Sequence, residues 1–87
     1  MIELLGRVVC SKAGRDAGRK FVIVGVLDEF NVLIVDGDLR KIERPKKKKM
    51  KRLEFTDIVM QPISDKLCKG IRVTNSEISK QLSCLES

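Results

Sequence analysis

Histidine, tryptophan and tyrosine are absent from this chain of 87 residues, and phenylalanine occurs only three times. The lack of histidine removes the side chain that most often acts as an acid or base near neutral pH. No phosphate-binding or dinucleotide-binding glycine motif is present. Asp36 and Asp38 are spaced like paired carboxylates, but the sequence Asp-Gly-Asp is more simply explained by a turn. We therefore expect a protein that is not an enzyme.

Cysteine is scarce, with Cys10, Cys68 and Cys84 as the three examples, and no pair has the C-x-x-C spacing. Without histidine, a zinc site would need all three thiolates and a carboxylate, which is an uncommon ligand set. Reduced thiols in a cytosolic protein are the simpler explanation. We expect neither a metal nor another cofactor.

Long apolar runs are also lacking, since none approaches the roughly 18 residues of a transmembrane helix. The first residues show no basic segment followed by an apolar one, as a secretory signal would have. These absences predict a soluble, cytoplasmic protein without a membrane partner.

Hydrophobic residues make up 43% of the chain, which is enough for one small domain. Apolar, β-branched runs between turn residues predict five strands. They are placed at residues 5–12, 20–27, 32–36, 39–42 and 50–59. Pro45 has no N–H, so a central strand cannot run through it, and the basic residues after it are predicted to form a loop. Five short strands with short turns indicate a small β-barrel.

The last quarter of the chain has a helical pattern instead. One helical turn is predicted at residues 64–67, ended by Gly70 in a left-handed conformation. Residues 74–77, "TNSE", form a capping-box pattern that predicts the start of a second helix. The apolar stripe of that helix consists of Ile78, Leu82 and Leu85. We expect this stripe to cover the barrel, with contact to a protein partner as the alternative.

Positive charge is concentrated in one segment. Residues 40–52 contain nine cations and a single anion, Glu43, although the whole chain has a formal charge of only +6. The cations are Arg40, Lys41, Arg44, Lys46, Lys47, Lys48, Lys49, Lys51 and Arg52. Such a field attracts polyanions, with nucleic acid as the first candidate and acidic lipid or an acidic protein as the second. The alternative is a solvated segment that protects a strand edge from aggregation, but that role needs far fewer charges.

A second cationic group surrounds Gly14 and Gly18. Its members are Lys12, Arg15, Arg19 and Lys20. We include them among the candidate RNA-binding residues, although Asp16 offsets one charge and the two glycines can serve the turn alone.

Two stretches of the sequence resemble a known family. "GRVVCSKAGRDAGRKFVIVGVLD" resembles a KOW motif, which consists of a strand, a glycine-containing loop and a long apolar strand. "VLIVDGDLRK", followed by "KKMKRLEFTDIV", resembles the KOW-type large-subunit ribosomal protein family called fourteen-e and its short bacterial relatives, the KOW-domain RNA-binding proteins. The matching elements are Val35-Asp36, Arg40-Lys41, Lys51-Arg52-Leu53 and Thr56-Asp57. The sequence departs from many KOW motifs at Phe21, where a third glycine is common.

This resemblance implies a mainly β fold, a five-stranded SH3-like barrel, with a short helical appendage. The corresponding division is a barrel at residues 1–61 and a helical extension at residues 62–87. In the KOW family the glycine-containing loop commonly contacts RNA or protein, which is what the resemblance implies for the second cationic group.

Three functional hypotheses follow from these patterns. The first is a non-enzymatic RNA-binding protein that acts in translation and contacts the phosphates of ribosomal RNA or the large ribosomal subunit. The second is a KOW protein-interaction module associated with RNA polymerase or transcription elongation. The third treats "KKKKMKR" as a nuclear localisation signal, which requires the lysines to lie in a flexible tail.

Overall fold

Five strands and two helices follow one another along the chain. The computed structural model describes residues 4–12, 14–15 and 17–85. The strands are β1 (Arg7–Ser11), β2 (Lys20–Val26), β3 (Asn31–Val35), β4 (Lys46–Lys49) and β5 (Leu53–Val59). A 3₁₀ turn, Met50–Arg52, joins β4 to β5, and the helices are α1 (Gln61–Cys68) and α2 (Asn75–Leu85). The fold is mainly β, with both helices at the C-terminal end of the described chain. Asp16 lies outside the described residues.

The strands form one antiparallel sheet in the order β4-β3-β2-β1-β5. Irregular register between Ile23 and Gly25 in β2, and between Arg7 and Val9 in β1, marks bulges, which bend a sheet. Within the described residues no ladder joins β4 to β5, so the sheet is open. The closed barrel expected from the strand count is therefore not formed by backbone hydrogen bonds.

Apolar side chains fill both faces of this sheet. The sheet cluster consists of Val9, Phe21, Ile23, Val32, Ile34 and Leu53. The helix cluster consists of Val8, Val22, Val35, Met60, Ile63, Val73, Ile78 and Leu82. Because side chains alternate along a strand, neighbouring residues of β1 and β2 enter different clusters. This explains why residues 20–27 are almost continuously apolar.

Both helices pack on the helix cluster. The predicted capping box is confirmed, since the Thr74 N–H donates to Glu77 Oε2 at 2.9 Å and the Glu77 N–H donates to Thr74 Oγ1 at 3.2 Å. The predicted apolar stripe is also confirmed, because Ile78 and Leu82 are buried and Leu85 packs beside them. These buried side chains are not open to a protein partner. Helix α1 is longer than the single predicted turn and is followed by Gly70, with φ of 72° as expected.

The strand predicted at residues 39–42 is wrong, because this segment belongs to a turn that Asp36 organises. Its Oδ1 accepts hydrogen bonds from the N–H groups of Asp38 at 2.9 Å and Arg40 at 2.8 Å. These bonds fold the backbone back on itself directly after β3. The interpretation of "DGD" as a turn is confirmed.

Candidate nucleic-acid interface

The four consecutive lysines form strand β4, an edge strand paired with β3. The paired residues are Asn31 with Lys49, Val32 with Lys48, Leu33 with Lys47 and Ile34 with Lys46. The prediction of a basic loop after Pro45 is therefore wrong, and the flexible tail that a nuclear localisation signal requires is not present. Pro45 stands immediately before the strand, where its missing N–H removes no ladder hydrogen bond. Lysine is also a residue that protects a sheet edge from further pairing.

Strand geometry divides the lysine run between two faces. Lys46 and Lys48 are half-buried, whereas Lys47 and Lys49 are exposed. Directly paired residues of neighbouring strands point to the same face. The half-buried lysines therefore share the face of the sheet cluster, since their β3 partners are members of that cluster. The exposed lysines lie on the opposite face.

One of the half-buried lysines, Lys48, lies beside the loop that contains Gly14 and Gly18, which we call the glycine loop. Lys48 Nζ lies 4.0 Å from the position that a Cβ on Gly14 would occupy. The Lys12 N–H donates to the Arg52 carbonyl at 2.9 Å, so the two ends of the basic region also touch. These two proximities bring together two groups that are separated in the sequence. We use the name basic face for Lys46 and Lys48 of β4 together with the neighbouring cations Lys12, Arg15 and Arg52.

Arg19 has a structural partner instead. Its Nε donates to Asp36 Oδ2 at 2.8 Å, and its Nη2 lies 3.7 Å from Asp38 Oδ2. This guanidinium therefore binds the turn after β3. Lys20 is half-buried at the start of β2, opposite Cys10. Both residues were candidates from sequence, and the geometry places neither of them beside β4.

Arg40, Lys41 and Arg44 lie on the segment that leads from this turn to β4. Lys41 and Arg44 are exposed, and the Arg44 N–H donates to the Lys41 carbonyl at 2.9 Å. Arg40 is half-buried, and its carbonyl accepts from the N–H groups of Asp36 and Gly37. Lys51 is exposed on the 3₁₀ turn. These cations extend the basic region on both sides of β4.

Asn75 fixes the same segment and was missed by sequence reasoning. Its Oδ1 accepts from the Ile42 N–H at 2.7 Å, and its Nδ2 donates to Glu43 at 2.9 and 3.0 Å. The Asn75 amide is the main reason that the pKa of Glu43 lies below its ordinary value. Helix α2 thereby fixes the segment that leads into β4. The two residues are 32 positions apart, so no local pattern could indicate the contact.

Asp36 is an ionised carboxylate in a nearly buried position. Burial raises its pKa, but hydrogen bonds from the Arg40 and Asp38 N–H groups and from the Arg19 guanidinium outweigh burial and lower it. Its side chain is only 5% exposed. The carboxylate therefore stabilises the fold through three charge-assisted hydrogen bonds.

We expect Asp36→Asn to lower the free energy of unfolding by about 1.5–3 kcal/mol at pH 7, since a charged acceptor is lost and an amide faces Arg19. The folded pKa is below the unfolded value of 3.8, so the contribution is complete above that pH and disappears as pH falls through the folded pKa. Urea unfolding at pH 7 and near pH 3 measures the difference in the free energy of unfolding between wild type and variant. Asp38→Asn is the control, because its side chain is 73% exposed and its loss should stay below about 0.5 kcal/mol. Equal losses in the two variants would contradict the assignment.

Within the part of the chain that the structure describes, no group of three or more cysteine, aspartate or glutamate side chains is placed to hold a metal ion. Cys10 is half-buried, and Cys68 and Cys84 are exposed. Neither described helix has the length and apolar character needed to cross a membrane.

Comparison with known proteins identifies a relative. No family model matches the chain. A protein of Bacillus subtilis (strain 168) named "Putative ribosome-binding protein YbzG" is 31% identical over 72 residues. The match covers 83% of this chain and 97% of the relative, so the similarity extends over nearly the whole of that protein. The chain therefore belongs to the same family as this Bacillus protein.

Proposed function

We propose that this protein is a non-enzymatic, cytoplasmic, ribosome-associated protein that binds ribosomal RNA through the phosphates of the RNA backbone. The ordered lysine strand is the observation that carries the proposal. The name of the Bacillus relative gives independent support, because it describes ribosome binding. The transcription hypothesis rests on the KOW resemblance alone, and no observation favours it.

The basic face has the chemistry needed to bind phosphates. Lys46 and Lys48 are two residues apart on one side of a strand, which separates their Cα atoms by roughly 6.7 Å. This distance is comparable with the separation of neighbouring phosphates along a nucleic-acid strand. Arg15 and Arg52 add guanidinium groups, and one guanidinium can donate two parallel hydrogen bonds to the oxygens of one phosphate. Because the β4 backbone is already ordered, binding loses less conformational entropy than it would with a flexible lysine tail.

The aromatic content determines which kind of RNA is favoured. Single-strand binders stack bases on aromatic side chains, and this chain has no tryptophan or tyrosine. Phe21 is buried in the sheet cluster, and Phe30 and Phe55 both lie beside Glu29 and Met50. A basic face without stacking platforms fits the phosphate geometry of structured RNA, such as folded ribosomal RNA.

The fold proposal is an SH3-like barrel of the KOW type. A strand order with β4 and β5 at the edges, linked by a 3₁₀ turn, supports it. The sheet cluster supports it further, because four strands contribute side chains to one apolar group on one face. The likeness to the fourteen-e ribosomal family and the division into residues 1–61 and 62–87 stay predictions within this proposal.

Sedimentation tests the function directly. In a sucrose gradient of cell extract at low salt, we expect the protein to migrate with the large ribosomal subunit and to move to the top at high salt. If about six phosphates are neutralised, the logarithm of the affinity for ribosomal RNA should fall with the logarithm of salt concentration, with a slope of roughly −4 to −5.

A cation exchanger provides the baseline for nonspecific charge, and an unrelated folded RNA of equal length is the control ligand. Presence of the protein only at the top of the low-salt gradient would contradict ribosome association. An affinity that does not depend on salt would contradict the phosphate contacts.

A further inference from the structure

A second surface, with the opposite charge, lies at the other end of β2. A groove of ≈ 890 Å³ is lined by side chains from β5, the 3₁₀ turn and the turn between β2 and β3. The glycine loop precedes Lys20 at the start of β2, whereas Val26 at its end lines the groove. The strand between them spans roughly 20 Å. The groove adjoins the basic region at the 3₁₀ turn, where Met50 lies two residues from Lys48 and two residues from Arg52.

The floor of the groove is apolar. Val26, Met50, Phe55 and Leu4 line it, with Val26 47% exposed and Phe55 36% exposed. Phe30 stands in the adjoining turn and is 70% exposed. Two of the three phenylalanines of the chain thus face solvent beside Met50. Clustered exposed apolar side chains of this kind mark an interaction surface.

The rim of the groove is acidic. Asp28, Glu29 and Asp57 contribute three carboxylates, and Arg7 is the one cation among the lining residues of the described chain. Arg7 Nη1 donates to the Thr56 carbonyl at 2.9 Å, so its guanidinium is held against the β5 backbone. The groove therefore has an excess of negative charge, although the chain as a whole has a formal charge of +6.

Asp28 is held in place and ionised. Its Oδ1 accepts hydrogen bonds from the N–H groups of Phe30 and Asn31, each at 2.8 Å. The Phe30 hydrogen bond is the main reason that the pKa of Asp28 lies below its ordinary value. The negative charge on this rim is therefore present at neutral pH in a fixed position.

We propose that this groove binds an extended peptide segment of a partner protein in which lysine or arginine alternates with aliphatic side chains. Charge complementarity identifies the occupant, since the carboxylates attract cations and repel phosphate, while the apolar floor needs aliphatic groups to cover it. The lysine run of a second copy does not fit, since it contains no apolar residue between Lys46 and Lys49 and is already paired with β3.

A synthetic peptide probes the groove. We expect the acetylated heptapeptide Lys-Leu-Lys-Val-Lys-Leu-Lys to shift the amide signals of Val26, Glu29 and Phe55 in ¹⁵N-correlated spectra of the whole chain. The matched peptide Glu-Leu-Glu-Val-Glu-Leu-Glu has the same apolar residues and should leave these signals unchanged. Lys-Ser-Lys-Thr-Lys-Ser-Lys keeps the charge, lacks the apolar residues and should bind at least fivefold more weakly.

Two variants of the protein complete the test. Glu29→Gln/Asp57→Asn removes two charges with little change of shape, and we expect its affinity for the basic peptide to fall about five- to tenfold. Phe55→Ala should also weaken binding, and the charge variant keeps the test valid if Phe55→Ala unfolds. Because Glu29 lies beside Lys49, the charge variant removes negative charge next to the basic region, so its affinity for ribosomal RNA should be retained or increased. Failure of this inference would therefore not be confused with failure of the proposed function.

Several results would overturn the inference. Equal binding of the acidic peptide, signal shifts confined to the basic face, or unchanged affinity in the charge variant would each do so. Concentration-dependent dimerisation with shifts in both the groove and β4 would assign the groove to a second copy instead. Loss of RNA binding in the charge variant would show that the groove belongs to the RNA site, which would also overturn it.

Discussion

The variant Lys46→Gln/Lys48→Gln is expected to bind ribosomal RNA roughly 25- to 60-fold more weakly than the wild type at about 0.1 M salt. Each phosphate contact contributes about 0.7–0.9 to the slope of log affinity against log salt, which is worth about five- to eightfold at this concentration. Loss of two contacts should also make the slope shallower by about 1.4–1.8. Fluorescence anisotropy with labelled ribosomal RNA at several salt concentrations measures both quantities.

Lys47→Gln/Lys49→Gln is the matched control. It changes the same strand by the same charge, but the two side chains point to the face opposite the sheet cluster. Lys48 contacts the glycine loop, where Lys12 and Arg15 add further charge, whereas the carboxylate of Asp28 is close enough to Lys47 for their charges to interact. We expect the control variant to lose less than about fivefold in affinity, because long-range attraction is screened by salt.

The ratio of the affinity losses in the two variants distinguishes an ordered strand from a flexible cationic segment. In a flexible segment all four lysines can reach phosphate, so the two variants would lose equal affinity. Equal losses would contradict the basic face as the binding surface. A larger loss in Lys47→Gln/Lys49→Gln would move the interface to the exposed face of β4.

Most of the sheet could be predicted because its strands carry their own local signal. Residues 20–27 and 32–36 are rich in valine and isoleucine and are bounded by turn residues, so strand propensity and burial agree. The lysine strand has no such signal. Lysine is depleted in strands. Strand β4 forms because its backbone pairs with β3, and its four lysines are tolerated because the strand lies at the solvent-exposed edge of the sheet. Tertiary pairing therefore determines this element.

The candidate site was only partly predictable for a similar reason. Charge counting identifies the cations of β4, because nine cations in thirteen residues need no structure to be noticed. It cannot show that Lys48 reaches Gly14, or that Arg19 is bound by Asp36. Both contacts join residues that are far apart in sequence, and they decide which cations share a surface. The apolar pattern likewise predicted the core but gave no indication of the acidic groove.

Gly37→Ala is expected to lower the free energy of unfolding by about 2–5 kcal/mol. Gly37 has a φ of 79°, a left-handed conformation that costs an alanine about 1–2 kcal/mol. A Cβ at this position would lie 2.4 Å from the Asn75 carbonyl oxygen and 2.9 Å from the Ser79 nitrogen. Both atoms belong to the backbone of α2, so no side-chain rotation relieves the overlap, and the helix must shift at a further cost of about 1–3 kcal/mol or more.

Gly70→Ala isolates the steric part of this loss. Gly70 has a similar φ of 72°, but nothing lies within 4 Å of the added Cβ, so only the backbone cost of about 1–2 kcal/mol applies. Urea unfolding followed by circular dichroism compares the two variants, and equal losses would contradict the close packing of α2 on the turn. Because Asn75 also holds Ile42 and Glu43, a shifted α2 releases the segment that leads into β4. Gly37→Ala should therefore weaken RNA binding under conditions where the protein is still folded, although no charge has been removed, whereas Gly70→Ala should not.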